Sequence, residues 1–98
     1  MKPPLLIRSE AEHDILAAYR WYEDQRPGLG SDLVLCVEEG LAKIQRNSDL
    51  CPIVHKNIRR LLIRRFPYGI FYVLDQDRIS ILAVFHARRD PIEWKSRT

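Results

Sequence analysis

Near the end of the chain an imidazole, two guanidiniums and a carboxylate follow in close succession, in His86-Ala87-Arg88-Arg89-Asp90. An imidazole whose ordinary pKa is about 6.5 can take or give a proton near neutrality. Guanidiniums grip phosphate or carboxylate oxygens in a fixed fork. Two more arginine pairs, Arg59-Arg60 and Arg64-Arg65, lie upstream, and Tyr72 offers a second transferable proton. Such a set suits either proton transfer at a phosphate ester or the binding of an acidic partner. The bland alternative is that strands end at the surface and surfaces are charged. The elements that carry these residues decide between the two.

The frame is one small domain spanning residues 1–98. Its 46% hydrophobic and 30% charged residues place it with soluble globular proteins, away from disordered or membrane classes. No apolar run approaches the ~20 residues that span a bilayer, so no membrane partner is expected. The opening MKPPLLIRSE lacks the apolar stretch of a secretory leader, and a cytoplasmic location follows. Cys36 and Cys51 have neither the spacing nor the neighbours of a metal site or a disulfide framework, and reduced thiols are expected. Gly28 and Gly30 lack the flanking strand and Lys-Ser/Thr of a phosphate loop. No cofactor or metal is expected. The net charge of +3 hides an asymmetry: residues 1–49 carry six Lys/Arg against nine Asp/Glu, residues 50–98 ten against four. A basic surface on one part of the fold, suited to a nucleic acid or an acidic protein, follows from that imbalance.

Hydrophobic periodicity places the elements. Residues 5–9 read as a first strand. Ser9 and Glu12 form a capping-box pattern opening a helix over 10–25, with Ala11, Ile15, Ala18, Tyr19 and Tyr22 on one face. After the RPGLG turn, Ser31 or Asp32 can cap a second helix over 31–47, whose seam is Val34, Val37, Leu41 and Ile44. Gly40 in that helix predicts close approach to the first helix. Past Pro52 the period becomes two, giving strands over 58–65, 68–74 and 79–86, with a short extra strand at Ile53-Val54. In the tail over 90–98, Asp90 can cap a helical turn that begins at Pro91. The order β-α-α-β-β-β predicts an α+β fold, a helical hairpin laid on one face of a mainly antiparallel sheet.

These residues resemble a known group. AEHDILAAYRWYEDQRPGLGSDL over the first helix and turn, IRRLLIRRFPYGIFYVL over two strands and ILAVFHARRDPIEWKSR at the end are similar, in order and spacing, to toxins of type II toxin–antitoxin systems, the RelE/ParE superfamily, and within it to the ParE-like branch. The resemblance implies the same fold, with the first strand beside the last, and a cognate antitoxin whose C-terminal segment wraps the toxin. ParE-like members act on DNA gyrase; RelE-like members cut messenger RNA on the ribosome. One scaffold hosts both.

Ribonuclease chemistry needs a base for the 2′-hydroxyl and cations for the phosphate. The candidates for it are His86, Arg65, Arg89 and Tyr72. RelE-like enzymes carry a lysine-rich cluster and a Tyr or His near the chain end, whereas here no Tyr follows Tyr72, and Lys56 and Lys95 are the sole lysines after Lys43. Gyrase inhibition is therefore the leading reading, mRNA cleavage the alternative, and a non-toxic copy that still binds antitoxin the third. For target or antitoxin binding the candidates are Arg60, Arg64, Arg65, Tyr68, His86, Arg88 and Trp94. Structural roles stand beside these: arginines paired with Asp14, Glu23 or Glu38 of the hairpin, Arg89 locked to Asp90, His86 bonded to backbone, and Trp21 and Trp94 as packing residues.

Overall fold

A computed structural model describes residues 3–97. The elements are β1 (Leu5–Ile7), α1 (Ser9–Gln25), α2 (Leu29–Arg46), β2 (Ile53–His55), β3 (Ile58–Leu62), β4 (Tyr68–Asp75), β5 (Arg78–His86) and a single turn, α3 (Ile92–Lys95). The five strands form one sheet in the order β1-β5-β4-β3-β2. β1 runs parallel to β5, and the other pairs are antiparallel. The expected α+β architecture, with the first strand beside the last, is the one observed.

β4 and β5 read as nearly unbroken apolar runs because both of their faces are buried, as in any strand covered on two sides. The first face packs on the hairpin: Ile70, Tyr72, Ile79, Ile81 and Val84 meet Ala11 and Ala18 of α1 and Leu33, Val37 and Ile44 of α2. The second face gathers Ile58, Phe71, Val73, Leu82, Ala83 and Phe85 under Trp94. A register shift between Phe71 and Tyr72 leaves Leu82 without a cross-strand partner. This bulge turns both Leu82 and Ala83 to the second face and lets Val84 return to the first.

Several local expectations change. β1 stops at Ile7, Arg8 is the N-cap of α1, and no side-chain cap forms, so Ser9 and Glu12 make no capping box. Helix α2 starts at Leu29, ahead of Ser31 and Asp32. Its cap comes from the other helix: the Glu23 carboxylate accepts the N–H groups of Gly28 (2.9 Å) and Gly30 (3.0 Å). Gly30, rather than Gly40, is where the two helices touch. A Cβ there would sit 2.5 Å from the Tyr19 carbonyl oxygen, whereas one on Gly40 would strike Ile70 and Leu61 of the sheet. β3 ends at Leu62 and does not reach Arg65, because Arg65 takes a left-handed φ of 69° and the chain turns before Pro67. Trp21 is 57% exposed rather than packed.

Candidate functional site

Where β4 begins and β5 ends, Tyr68 lies directly across from His86, their rings edge to face at 5.4 Å. Tyr22 of α1 meets Tyr68 at 6.0 Å and Phe66 at 5.0 Å, and Trp21 meets Tyr22 at 4.9 Å. Trp21, Tyr22 and Tyr68 border a cleft of about 470 Å³ between α1 and the end of β5, which His86 and Arg89 also line. His86 Nδ1 accepts the N–H of Arg88 at 3.0 Å. With Nδ1 taken as an acceptor, Nε2 is the ring nitrogen left to donate. Burial and the neighbouring Tyr22 raise the Tyr68 hydroxyl above its ordinary pKa, and Arg89 opposes them. Tyr68 therefore stays a neutral donor beside the imidazole.

The remaining sequence candidates scatter. Arg89 reaches Glu93 at 3.7 Å and lies over the Phe85 ring, so it does not lock Asp90. The Asp90 carboxylate instead accepts the Ile92 N–H at 3.0 Å and opens α3. Arg88 is exposed, and its guanidinium forms no ion pair or hydrogen bond among the described residues. Arg64 grips Glu39 through two bonds of 2.6 and 3.2 Å. That contact lowers the Glu39 carboxyl and raises the guanidinium. Arg65 reaches Asp32 at 3.5 Å and covers Phe66. So the hairpin supplies partners for Arg64 and Arg65, but they are Glu39 and Asp32 rather than Asp14, Glu23 or Glu38. Arg59 donates to the carbonyls of Asp49 and Cys51. Arg60 lays its stem over Gly69. Tyr72 is fully buried and donates to the Ser48 carbonyl at 2.7 Å, and burial foremost raises its pKa strongly. It has no proton to offer a substrate. Trp94 stacks on Phe71 at 4.4 Å and is itself covered.

One functional pair escaped the sequence. β1 follows β5 along Ile79–Ile81 alone. Beyond it, the outer edge of β5 is met by side chains: Arg97 donates to the Leu82 carbonyl at 3.0 Å, and Asp14 accepts the Val84 N–H at 3.1 Å. The two bind each other at 2.6 and 3.3 Å, and Arg97 stacks on Phe85. With side-chain exposures of 20% and 9%, this is the most protected ion pair described. It continues β1 in side-chain form and ties the tail to α1 beside the cleft. The sequence offered Asp14 as an arginine partner, but for the arginines around β3 rather than for Arg97.

Fold and site together define a small α+β domain that carries an aromatic and basic rim where its sheet ends. The chain belongs to the family of ParE toxins of the type II toxin–antitoxin system parDE, whose family model matches residues 5–91. It is a RelE/ParE superfamily toxin. Among solved structures, a chain of the chromosomal ParDE system from P. aeruginosa aligns with a TM-score of 0.78 at 20% identity, over 87% of this chain and 96% of that one. A chain of the RelBE2 toxin–antitoxin complex from Mycobacterium tuberculosis aligns with a TM-score of 0.59 at 17% identity, over 88% and 99%. A search of curated proteins finds no match. No helix among the described residues is long and apolar enough to cross a membrane.

Proposed function

We propose that this toxin acts in the cytoplasm by binding and inhibiting DNA gyrase, and that a cognate antitoxin neutralises it. The observation that carries the reading is the dispersal of the four groups an mRNA-cleaving site would need. His86 and Arg89 share one cleft, but Tyr72 is buried with its hydroxyl committed to Ser48, and Arg65 is turned to Asp32. A rim of this kind is better suited to contact than to proton transfer: Tyr68 and the His86 Nε2–H supply oriented donors, Trp21 supplies exposed aromatic area and Arg88 an uncommitted charge. Aromatic residues and arginines of that sort anchor protein interfaces. Ribosome-dependent mRNA cleavage is the second reading, favoured by the one observation that His86 and Arg89 do converge.

The test is gyrase supercoiling and DNA cleavage with the purified protein, beside cleavage of mRNA on programmed ribosomes. Inhibited gyrase with intact mRNA supports the proposal. In that case His86→Ala lowers inhibition by less than about tenfold, the scale of one contact at an interface. Cut mRNA with unaffected gyrase overturns the proposal, and loss of cleavage in His86→Ala would then identify the base.

A further inference from the structure

The rim carries one feature that packing leaves unexplained. Tyr22 and Tyr68 are half-buried against the hairpin core, but Trp21, at the outer end of the same run of rings, is 57% exposed. Tyr22, Tyr68 and His86 continue from it at centroid separations of 4.9, 6.0 and 5.4 Å, and all four rings line the cleft between α1 and the end of β5. The one carboxylate lining that cleft, Asp14, is neutralised by Arg97 at 2.6 and 3.3 Å. The other charge there is Arg89, whose tie to Glu93 is long, 3.7 Å, with the two side chains 46% and 55% exposed. A surface pair of that kind holds its arginine weakly. The neighbouring Arg88 guanidinium has no partner among the described residues.

An exposed aromatic ring beside recruitable cations is what a single strand of nucleic acid needs, rings for its bases and guanidiniums for its phosphates. A duplex fits less well, because its bases stay stacked inside and Trp21 is left without a use. An acidic peptide would engage the arginines and leave the rings without a partner. We infer that the cleft between α1 and the end of β5 binds an unpaired nucleotide of a DNA strand, its base stacked on Trp21 and its phosphate held by Arg89. Tyr68 and the His86 Nε2 are placed to donate to the edge of that base. The source of the strand, DNA held by gyrase, rests on the reading proposed above; the cleft and its chemistry do not.

The test is an amide and indole NMR titration of the full ¹⁵N-labelled chain with an oligothymidylate about eight nucleotides long, the scale of one single-strand site. Controls are an oligouridylate of equal length, and the oligothymidylate annealed to its complement. Saturable shifts around residues 14–22, 68 and 84–89 are expected. Of the two indole N–H signals, that of Trp21 moves and that of the covered Trp94 does not. Trp21→Ala, at an exposed site, weakens binding by about tenfold, the effect of one lost base stack, and Trp21→Phe restores most of it. Arg89→Gln lowers the slope of log affinity against log salt by about 0.7, the share of one phosphate contact; a merely structural residue would leave that slope unchanged. Oligouridylate binding no tighter than the DNA strand supports the inference, since base and phosphate are common to both, and tighter binding overturns it. No saturation by about 1 mM strand, where a complex with a dissociation constant of that size is half formed, also overturns it. So do equal binding of the duplex, or shifts that leave Trp21 unmoved. Set beside the supercoiling assay, the two readings separate. Inhibited gyrase with an unmoved Trp21 sinks this inference alone, whereas a strand seated at Trp21 of a protein that leaves gyrase untouched sinks the gyrase reading and supports the cleft.

Discussion

The two faces of the sheet are buried by very different means. The first lies under α1 and α2, which together supply 35 helical residues and an interdigitated core from Ala11 to Ile44. The second lies under α3, four residues long, with Trp94 as its one deeply buried side chain. What the short helix lacks in area is replaced by polar ties: Arg97 to Asp14 and Leu82, and Asp90 to the α3 N-terminus. Extended apolar contact is non-directional and scales with area; a single latch is directional and can open as a unit. The first face therefore sets whether the chain folds, and the second sets whether its tail stays down beside the His86 rim.

Three single substitutions and one double-mutant cycle can break that contrast. Leu33→Ala, at a fully buried position on the first face, is expected to cost about 3–4 kcal/mol from lost burial and the cavity it leaves. Its measure is the urea midpoint of a transition seen alike by far-UV and near-UV circular dichroism. Asp14→Ala is expected to cost about 2–3 kcal/mol, since it strands the Arg97 guanidinium and the Val84 N–H together. Because the pair keeps some exposure, the loss stays below that of a fully buried one. A double-mutant cycle with Arg97→Ala should return a coupling of about 1–2 kcal/mol; additive losses would mean that the two residues act apart and no latch exists. Trp94→Ala is expected to cost about 2 kcal/mol, less than an interior tryptophan, because α3 can lift away without unfolding the sheet. Its signature is new binding of a hydrophobic dye with unchanged far-UV circular dichroism. A loss as large as that of Leu33→Ala would show that both faces melt as one, and the comparison would fail.

The same contrast explains what could be read in advance. Helices and central strands announce themselves by period, and the apolar runs of β4 and β5 left little choice of fold. Ends were harder. Ser9 had the right neighbours for a capping box, yet the chain leaves β1 one residue earlier and Arg8 takes that place. Glu23 caps α2 from α1, an arrangement that exists only once the hairpin has closed. The rim was legible in part: His86 was tied to backbone as one of its two readings had it, but Tyr72 was a candidate donor because an apolar run covered on both sides does not reveal which residues the helices will cover. Trp94 was visible as an anchor, whereas Arg97 was not. Its partner lies 83 positions away, and no local pattern encodes that distance.

A last and smaller effect probes the second face by proton. His55 sits at its border, edge-on to Trp94 at 6.2 Å. Burial first, then the charges of Lys95 and Lys56, lower its pKa from the ordinary 6.5. The sign follows from linkage: the unfolded chain binds the proton more readily, so acidification favours unfolding. The contribution is whole above the unfolded value and is lost as pH falls through it toward the folded one. The Glu39 carboxyl, lowered from 4.5, titrates below this window and does not interfere. Stability measured by urea at about pH 7.5 and about pH 5.5, an interval in which histidine is the side chain whose ordinary pKa falls, should fall further in the wild type than in His55→Gln. If the tail is what shields His55, deleting residues 91–98 removes both Trp94 and Lys95 and should abolish the difference. A difference that survives the deletion would assign the shift to Lys56 and the β2–β3 turn, and would leave the second face without a proton-sensitive cover.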